Sequence, residues 1–236
     1  MPTIYLRIFA SQNADISNDR IYSDIFAAEK ILDPIQIQVT TTNNNGLHEV
    51  LPATFNGTEF NAGPVINQIN DEILDPFHVE GKSVARLLDY NPDNLARDGR
   101  VISIYYLAGE NERTAQSKIG TNNKQILGSI FIPSDINNDF NRFALAHEIV
   151  HILFARAIEK KIARDQFGND IILRTVEFTN PPPNIPDNPT HSSSDQNLMF
   201  PTVPLSDSFV QTEVLPENLF SEIQHQKAGD SPLVFN

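Results

Sequence analysis

The stretch Phe143-Ala144-Leu145-Ala146-His147-Glu148-Ile149-Val150-His151-Ile152-Leu153-Phe154-Ala155 decides how the rest of the chain is read. It is apolar at every position except His147, Glu148 and His151. Its pattern predicts one long helix over 139–160, with Asn138 or Asp139 as the cap. Four residues apart on such a helix, the two imidazoles share a face, one turn apart. Both can then reach a single tetrahedral Zn²⁺ at about 2.0–2.1 Å. Glu148 lies one residue round the helix from His147, where its carboxylate can reach a water on that ion without being a ligand. The apolar flanks predict a buried helix, and burying unpaired imidazoles and a carboxylate is costly. A metal or polar partners must therefore meet them.

His-Glu-x-x-His on a helix is the arrangement of zinc peptidases. Zinc lowers the pKa of a bound water toward ~7 and polarises the scissile carbonyl. Glu148 is the general base that takes the water's proton and passes it to the leaving amine. The expected activity is zinc-dependent hydrolysis of peptide bonds in a protein or peptide substrate, with one catalytic Zn²⁺. Such an ion takes three protein ligands plus water, so two histidines leave one place to fill. The chain has no cysteine and six histidines, so the third ligand must be His, Asp or Glu. His48, His78 and His225 show no ligand spacing and are expected at the surface or in loops. Glu159 is too close, on the predicted helix itself. Glu177 and Asp170 are the carboxylate candidates, and His191 is the histidine that follows the motif.

Composition bounds the other classes. The chain has 236 residues, 40% of them hydrophobic and 20% charged, which is a globular composition and not a disordered one. Its 17 Lys and Arg against 30 Asp and Glu give a net charge of −13. That charge repels nucleic acid and anionic membranes, so neither is an expected partner. No apolar run approaches the length of a membrane helix, and the first residues carry no secretory pattern. The expected location is the cytoplasm or export by a non-classical route. Asn91–Asp98 and Asp135–Asp139 are rich in Asp and Asn, but neither has the spaced oxygen pattern of an EF-hand loop, so Ca²⁺ has no support.

Working outward, residues 3–9 read as a strand, 21–32 as a helix stopped by Pro34, and 35–42 as a strand of alternating period, which together predict a βαβ unit. A short helix is predicted over 82–90, a turn at 91–94, and strands over 100–107 and 126–132. Tyr105 and Tyr106 sit on the first of these strands, where packing is their expected role. The prolines of 177–197 predict loop, with 177–190 expected to rim the cleft. Residues 216–227 read as a closing helix with Pro216 at its first turn. No linker separates two folding units. The expectation is one α+β domain over 1–236, a small mixed twisted sheet with a long active-site helix and a C-terminal helix.

Ala146-His147-Glu148-Ile149-Val150-His151, followed by His191-Ser192-Ser193-Ser194-Asp195-Gln196-Asn197-Leu198-Met199-Phe200-Pro201, resembles the metzincin zinc peptidases. The specific match covers about 17 residues; the order of elements adds to it more loosely. The resemblance implies a zincin-like fold, endopeptidase action, His191 as third ligand, and Asn197-Leu198-Met199 as the turn that places Met199 beneath the metal. Where most of that family carry Gly and then His after the motif, this chain has Phe154 and Ala157. With no glycine to end it, the helix is expected to run on to about Glu159 or Lys160, and His191 to return from a longer excursion. Phe200 replaces the Tyr that some members use near the metal. Three alternatives stay open: a gluzincin-type peptidase with a carboxylate ligand, a zinc-containing binding module without proteolysis, and an effector directed at one host protein.

Overall fold

The computed structural model describes residues 1–12, 14, 16–40, 46–51, 54–55, 58–59, 101–107, 115–122, 125–133, 142–202 and 212–235. The predicted helix 82–90, the turn 91–94, His78, Asn138, Asp139 and both Asp/Asn-rich stretches lie outside these residues. The architecture is mixed α/β: a mixed sheet with three helices among the described residues. The chain opens with β1 (Thr3–Ala10), α1 (Asn18–Leu32) and β2 (Gln36–Val39), and β1 and β2 pair in parallel. The βαβ unit expected from the sequence is present. Ser17 starts α1 by accepting the backbone N–H of Arg20, which satisfies one of the free donors of the first turn.

β3 (Glu49–Val50) joins the far end of β1, and β4 (Thr54–Phe55) and β5 (Thr58–Glu59) form a separate small pair. β6 (Ile102–Leu107) lies on the other side of β1, followed in space by β8 (Gln125–Pro133) and then β7 (Gln116–Asn122). Within this main sheet all pairings are parallel except that of β7, which runs antiparallel to β8 and forms the edge. β7 was not foreseen; its Gln116-Ser117-Lys118-Ile119-Gly120-Thr121-Asn122 run has one large apolar residue and no strong strand period.

The side-chain alternation of the strands sorts the sheet into two faces. Ile4, Leu6 and Ile8 of β1, Ile104 and Tyr106 of β6, and Ile130 and Ile132 of β8 join the core shared with the helices. On the opposite face Phe9, Tyr105 and Phe131 occupy one register row, their rings stacked at 5.0 and 5.3 Å. Arg7 lies over Phe9 and makes a buried ion pair with Glu49 at 2.8 Å. Every residue of β6 is buried, so this strand is central and its tyrosines pack.

α2 (Ala144–Phe154) packs beside α1 and against β7 and β8, with all of its residues buried. It is shorter than the predicted 139–160. It starts after Phe143 without a side-chain cap and stops at Phe154, where Ala155 turns extended. The absent glycine is replaced by a side chain: the Arg156 guanidinium donates to the carbonyls of Leu153 at 2.7 Å, Ala155 at 2.8 Å and Lys227 at 2.9 Å. This satisfies carbonyls that a helix end leaves open.

The chain then runs straight into β9 (Ala155–Arg164), which pairs antiparallel with β10 (Asp170–Phe178). The β-branched and aromatic content of β10 draws 155–164 out of helix. The predicted loop 177–197 is also corrected. β10 occupies its start, and β11 (Asn184–Ile185) and β12 (Asn188–Ser192) form a small antiparallel pair between the prolines. The closing helix α3 is Glu222–Gly229, not 216–227. Ser221 and Gln224 form a reciprocal capping box there, a stronger start signal than Pro216.

Candidate metal centre

α2 supplies His147 and His151, both buried, and β12 supplies His191, half-buried. One ring nitrogen of each lies within 4.8 Å of the others. The ring centroids are 4.6 Å apart for His147 and His151, 4.8 Å for His151 and His191, and 5.6 Å for His147 and His191. The Nε2 atoms of His147 and His151 stand 3.0 Å apart. Two nitrogens on one tetrahedral ion at about 2.0–2.1 Å would be about 3.3 Å apart, so this spacing fits a shared ion.

Hydrogen bonds fix which nitrogens are free. His147 Nδ1 lies 2.6 Å from the carbonyl oxygen of Leu198. A carbonyl only accepts, so Nδ1 carries the proton and Nε2 presents its lone pair. His191 Nδ1 lies 2.8 Å from Thr190 Oγ1 and 3.0 Å from Asn188 Oδ1. Because Thr190 already donates its hydroxyl to Asn188 at 2.6 Å, His191 Nδ1 is the donor here too and its Nε2 is free. Partners of this kind orient imidazoles toward a metal. Burial pushes the pKa of His147 down to about 4 and that of His151 well below the usual histidine value, and it lowers His191 as well. All three are neutral at pH 7, the form that binds a metal.

The turn at Asn197–Phe200 is organised by one side chain. Asn197 Oδ1 accepts the backbone N–H of Met199, and Phe200 N–H donates to the Asn197 carbonyl. Leu198 N–H donates to the Leu219 carbonyl at 2.7 Å, and Ser192 N–H donates to the Met199 carbonyl at 2.7 Å. The same turn thus holds His147 through Leu198 and anchors the residue next to His191. Met199 is fully buried in the main core. Gln224 of α3 donates to Asn180 Oδ1 at 2.6 Å and Asn197 Oδ1 at 2.9 Å, and accepts from Asn197 Nδ2 at 2.9 Å.

Glu148 is buried and lies outside the group of converging nitrogens. Burial raises its pKa to about 8, opposed by hydrogen bonds from the hydroxyl and the backbone N–H of Ser117 on β7. Ser117 and the Leu198 carbonyl were not foreseen. The first sits on an unassigned strand, and the second is a backbone atom, for which side-chain identity gives no signal.

The carboxylate candidates stand elsewhere. Asp170 is at the outer end of the β9–β10 ribbon, paired with Lys161 and Arg164. Glu177 is exposed, and strand alternation sends it to the face opposite Phe178, whose ring meets His151 edge-on at 6.1 Å. His48 and His225 are half-buried and belong to no metal-ligating group among the described residues. No helix among the described residues is long and apolar enough to cross a membrane. No protein-family model and no curated protein sequence matches this chain.

Proposed function

We propose that this chain is a zincin-like, metzincin-type zinc peptidase, a single domain over 1–236 that cleaves within protein or peptide substrates. One observation carries the reading: His147 and His151, on a buried helix that also carries Glu148, converge with His191, and the Leu198 carbonyl of the Asn197-Leu198-Met199 turn fixes the His147 tautomer. His147, His151 and His191 would hold the ion through their Nε2 atoms. Three neutral imidazoles suit zinc. When bound, it supplies a Lewis acid that acidifies water and polarises a carbonyl, and a charge that favours the ionised form of Glu148.

The remaining work falls to the protein. Glu148, as carboxylate, accepts a proton from the attacking water and delivers it to the departing amine. Ser117 holds that carboxylate from the β7 side with two donors, which limits it to few orientations. The apolar wall of α2 excludes bulk water from the base.

Elemental analysis of wild type beside His191→Ala, with casein and a peptide library assayed on the same samples, tests the proposal. One zinc per chain in wild type, with zinc and cleavage both lost in the variant, is the expected result. Full zinc retained by His191→Ala removes His191 from the site. A wild type that binds no zinc, or binds it and cleaves nothing, overturns the peptidase reading.

A further inference from the structure

The β9–β10 ribbon leaves a concentration of apolar surface in water. Phe167 at its tip is 79% exposed, and Ile162, Ile171, Ile172 and Leu173 are between 42 and 58% exposed. Five large apolar side chains within twelve residues form more than scattered surface hydrophobicity. The tip is built to present Phe167. Asp165 Oδ1 accepts the backbone N–H groups of Phe167 and Asn169, each at 2.8 Å, and Gly168 takes a φ of +84° that a residue with a side chain rarely adopts.

The apolar residues lie on both faces of the ribbon. Ile171 and Leu173 alternate with Ile172, and Ile172 shares its face with the Arg174–Glu159 and Lys161–Asp170 ion pairs. A protein partner, or a second copy, would cover one face and leave the other wet. A bilayer interface surrounds a tip on every side. The flanking charges favour the same occupant. Residues 159–174 carry Lys160, Lys161, Arg164 and Arg174 against Glu159, Asp165 and Asp170, an excess of one positive charge in a chain of net charge −13, with Lys161, Arg164 and Arg174 in ion pairs within the ribbon. At about 3.3 Å per residue the tip stands roughly 20 Å beyond Glu159, more than the ~8–10 Å over which salt screens the acidic remainder.

We propose that the β9–β10 tip docks on an anionic bilayer surface. Phe167 and its apolar neighbours enter the boundary between headgroups and acyl chains, and Lys160, the ribbon cation outside those ion pairs, reaches back to lipid phosphates. Penetration stops at the interface, because the open ribbon edges carry backbone groups that hydrocarbon cannot satisfy. The docking is independent of the peptidase reading.

The chain contains no tryptophan, so Phe167→Trp places a single reporter at the tip. With three-to-one phosphatidylcholine–phosphatidylserine vesicles, its emission is expected to shift to the blue and to be quenched by brominated lipid. In that background Ile172→Asp with Leu173→Asp is expected to weaken vesicle binding by about tenfold or more. These positions are exposed, so an unchanged melting temperature will show that the fold is kept. An emission unaltered by vesicles overturns the proposal. So does a blue shift that follows protein concentration without lipid, which assigns the tip to a second copy.

Discussion

Gly128 on β8 lies close against Ile152 of α2, and alanine there is expected to disturb the helix that carries both motif histidines. A Cβ at this position would lie 2.6 Å from Ile152 Cγ2, 2.8 Å from Cδ1 and 3.2 Å from Cγ1. Favourable carbon contacts need about 3.5–4.0 Å, so roughly 1 Å must be found. Cδ1 can rotate away, but Cγ2 is fixed to the Cβ of a fully buried residue. Either Ile152 leaves its rotamer or α2 backs away from β8. Overpacking of this kind costs about 1–3 kcal/mol, offset by the ~0.5–1 kcal/mol that alanine gains over glycine in a strand. The net loss should be roughly 1–2 kcal/mol, or about 2–8 °C in melting temperature for a chain of this size. Ile152→Ala alone should cost about 2–5 kcal/mol by leaving a cavity. The double variant places the new methyl in that cavity, so its loss should fall short of the sum by about 1 kcal/mol or more. Urea denaturation of the four proteins measures this coupling, and zinc competition on the same samples reports whether the neighbouring His151 moves. Costs that add to within ~0.5 kcal/mol would refute the account of Gly128 as a close-approach site.

Gln224→Ala should leave the buried amides of Asn180 and Asn197 without their partner, at roughly 1–3 kcal/mol for each orphaned group. The turn carrying the Leu198 carbonyl rests on Asn197, so metal affinity at the proposed site should fall about 10–100-fold; full affinity in a variant that still folds would detach the turn from the site. The metal-free protein should lose stability between pH 6.5 and 8. Burial sets His147 to about 4 and Glu148 to about 8. The histidine contribution is present above its unfolded value near 6.5 and is lost only as pH falls toward 4. The raised glutamate contributes stability that is full below its unfolded value near 4.5 and is lost as pH rises through 8. Above 6.5 the Glu148 loss therefore stands alone, and melting curves of metal-free Glu148→Gln should be flat over that window; an unchanged slope in the variant would place the titrating group elsewhere.

The βαβ start, the central strand and the buried motif helix were legible because each rests on local periodicity. The alternation of Ile35-Gln36-Ile37-Gln38-Val39 and the cap at Ser17 need no distant partner to be read. The end of α2 was not legible in that way. Ala155-Arg156-Ala157-Ile158-Glu159-Lys160 has good helical propensity, and it forms strand because β10 pairs with the whole of β9 across nine positions. The Asp165-Gln166-Phe167-Gly168-Asn169 turn between two apolar-rich runs was the available signal for a hairpin. In the proline segment each proline was read as a break, yet Pro189 sits in β12, a strand of a two-stranded pair where a missing donor costs little. Ser221 with Gln224 was a better start signal for α3 than Pro216.

The early end of α2 also explains why the third histidine is so distant in sequence. A helix that continued past Phe154 would carry the chain along its own axis, away from the open side of His147 and His151. Stopping at Phe154 lets the chain leave as a strand and return as β10, whose last residue, Phe178, packs on His151. The excursion can be long because the entropy of closing a loop grows only with the logarithm of its length, and the β9–β10 pairing offsets part of that cost. On its return the chain enters the segment held by Asn180, Gln224 and Asn197, and that segment sets His191 beside the motif pair. The position of His191 therefore depends on three amides and a carbonyl outside its own strand, among them Gln224 of the closing helix. Ligand spacing alone could nominate the residue, but the amide network places its strand, and Thr190 and Asn188 then orient its imidazole.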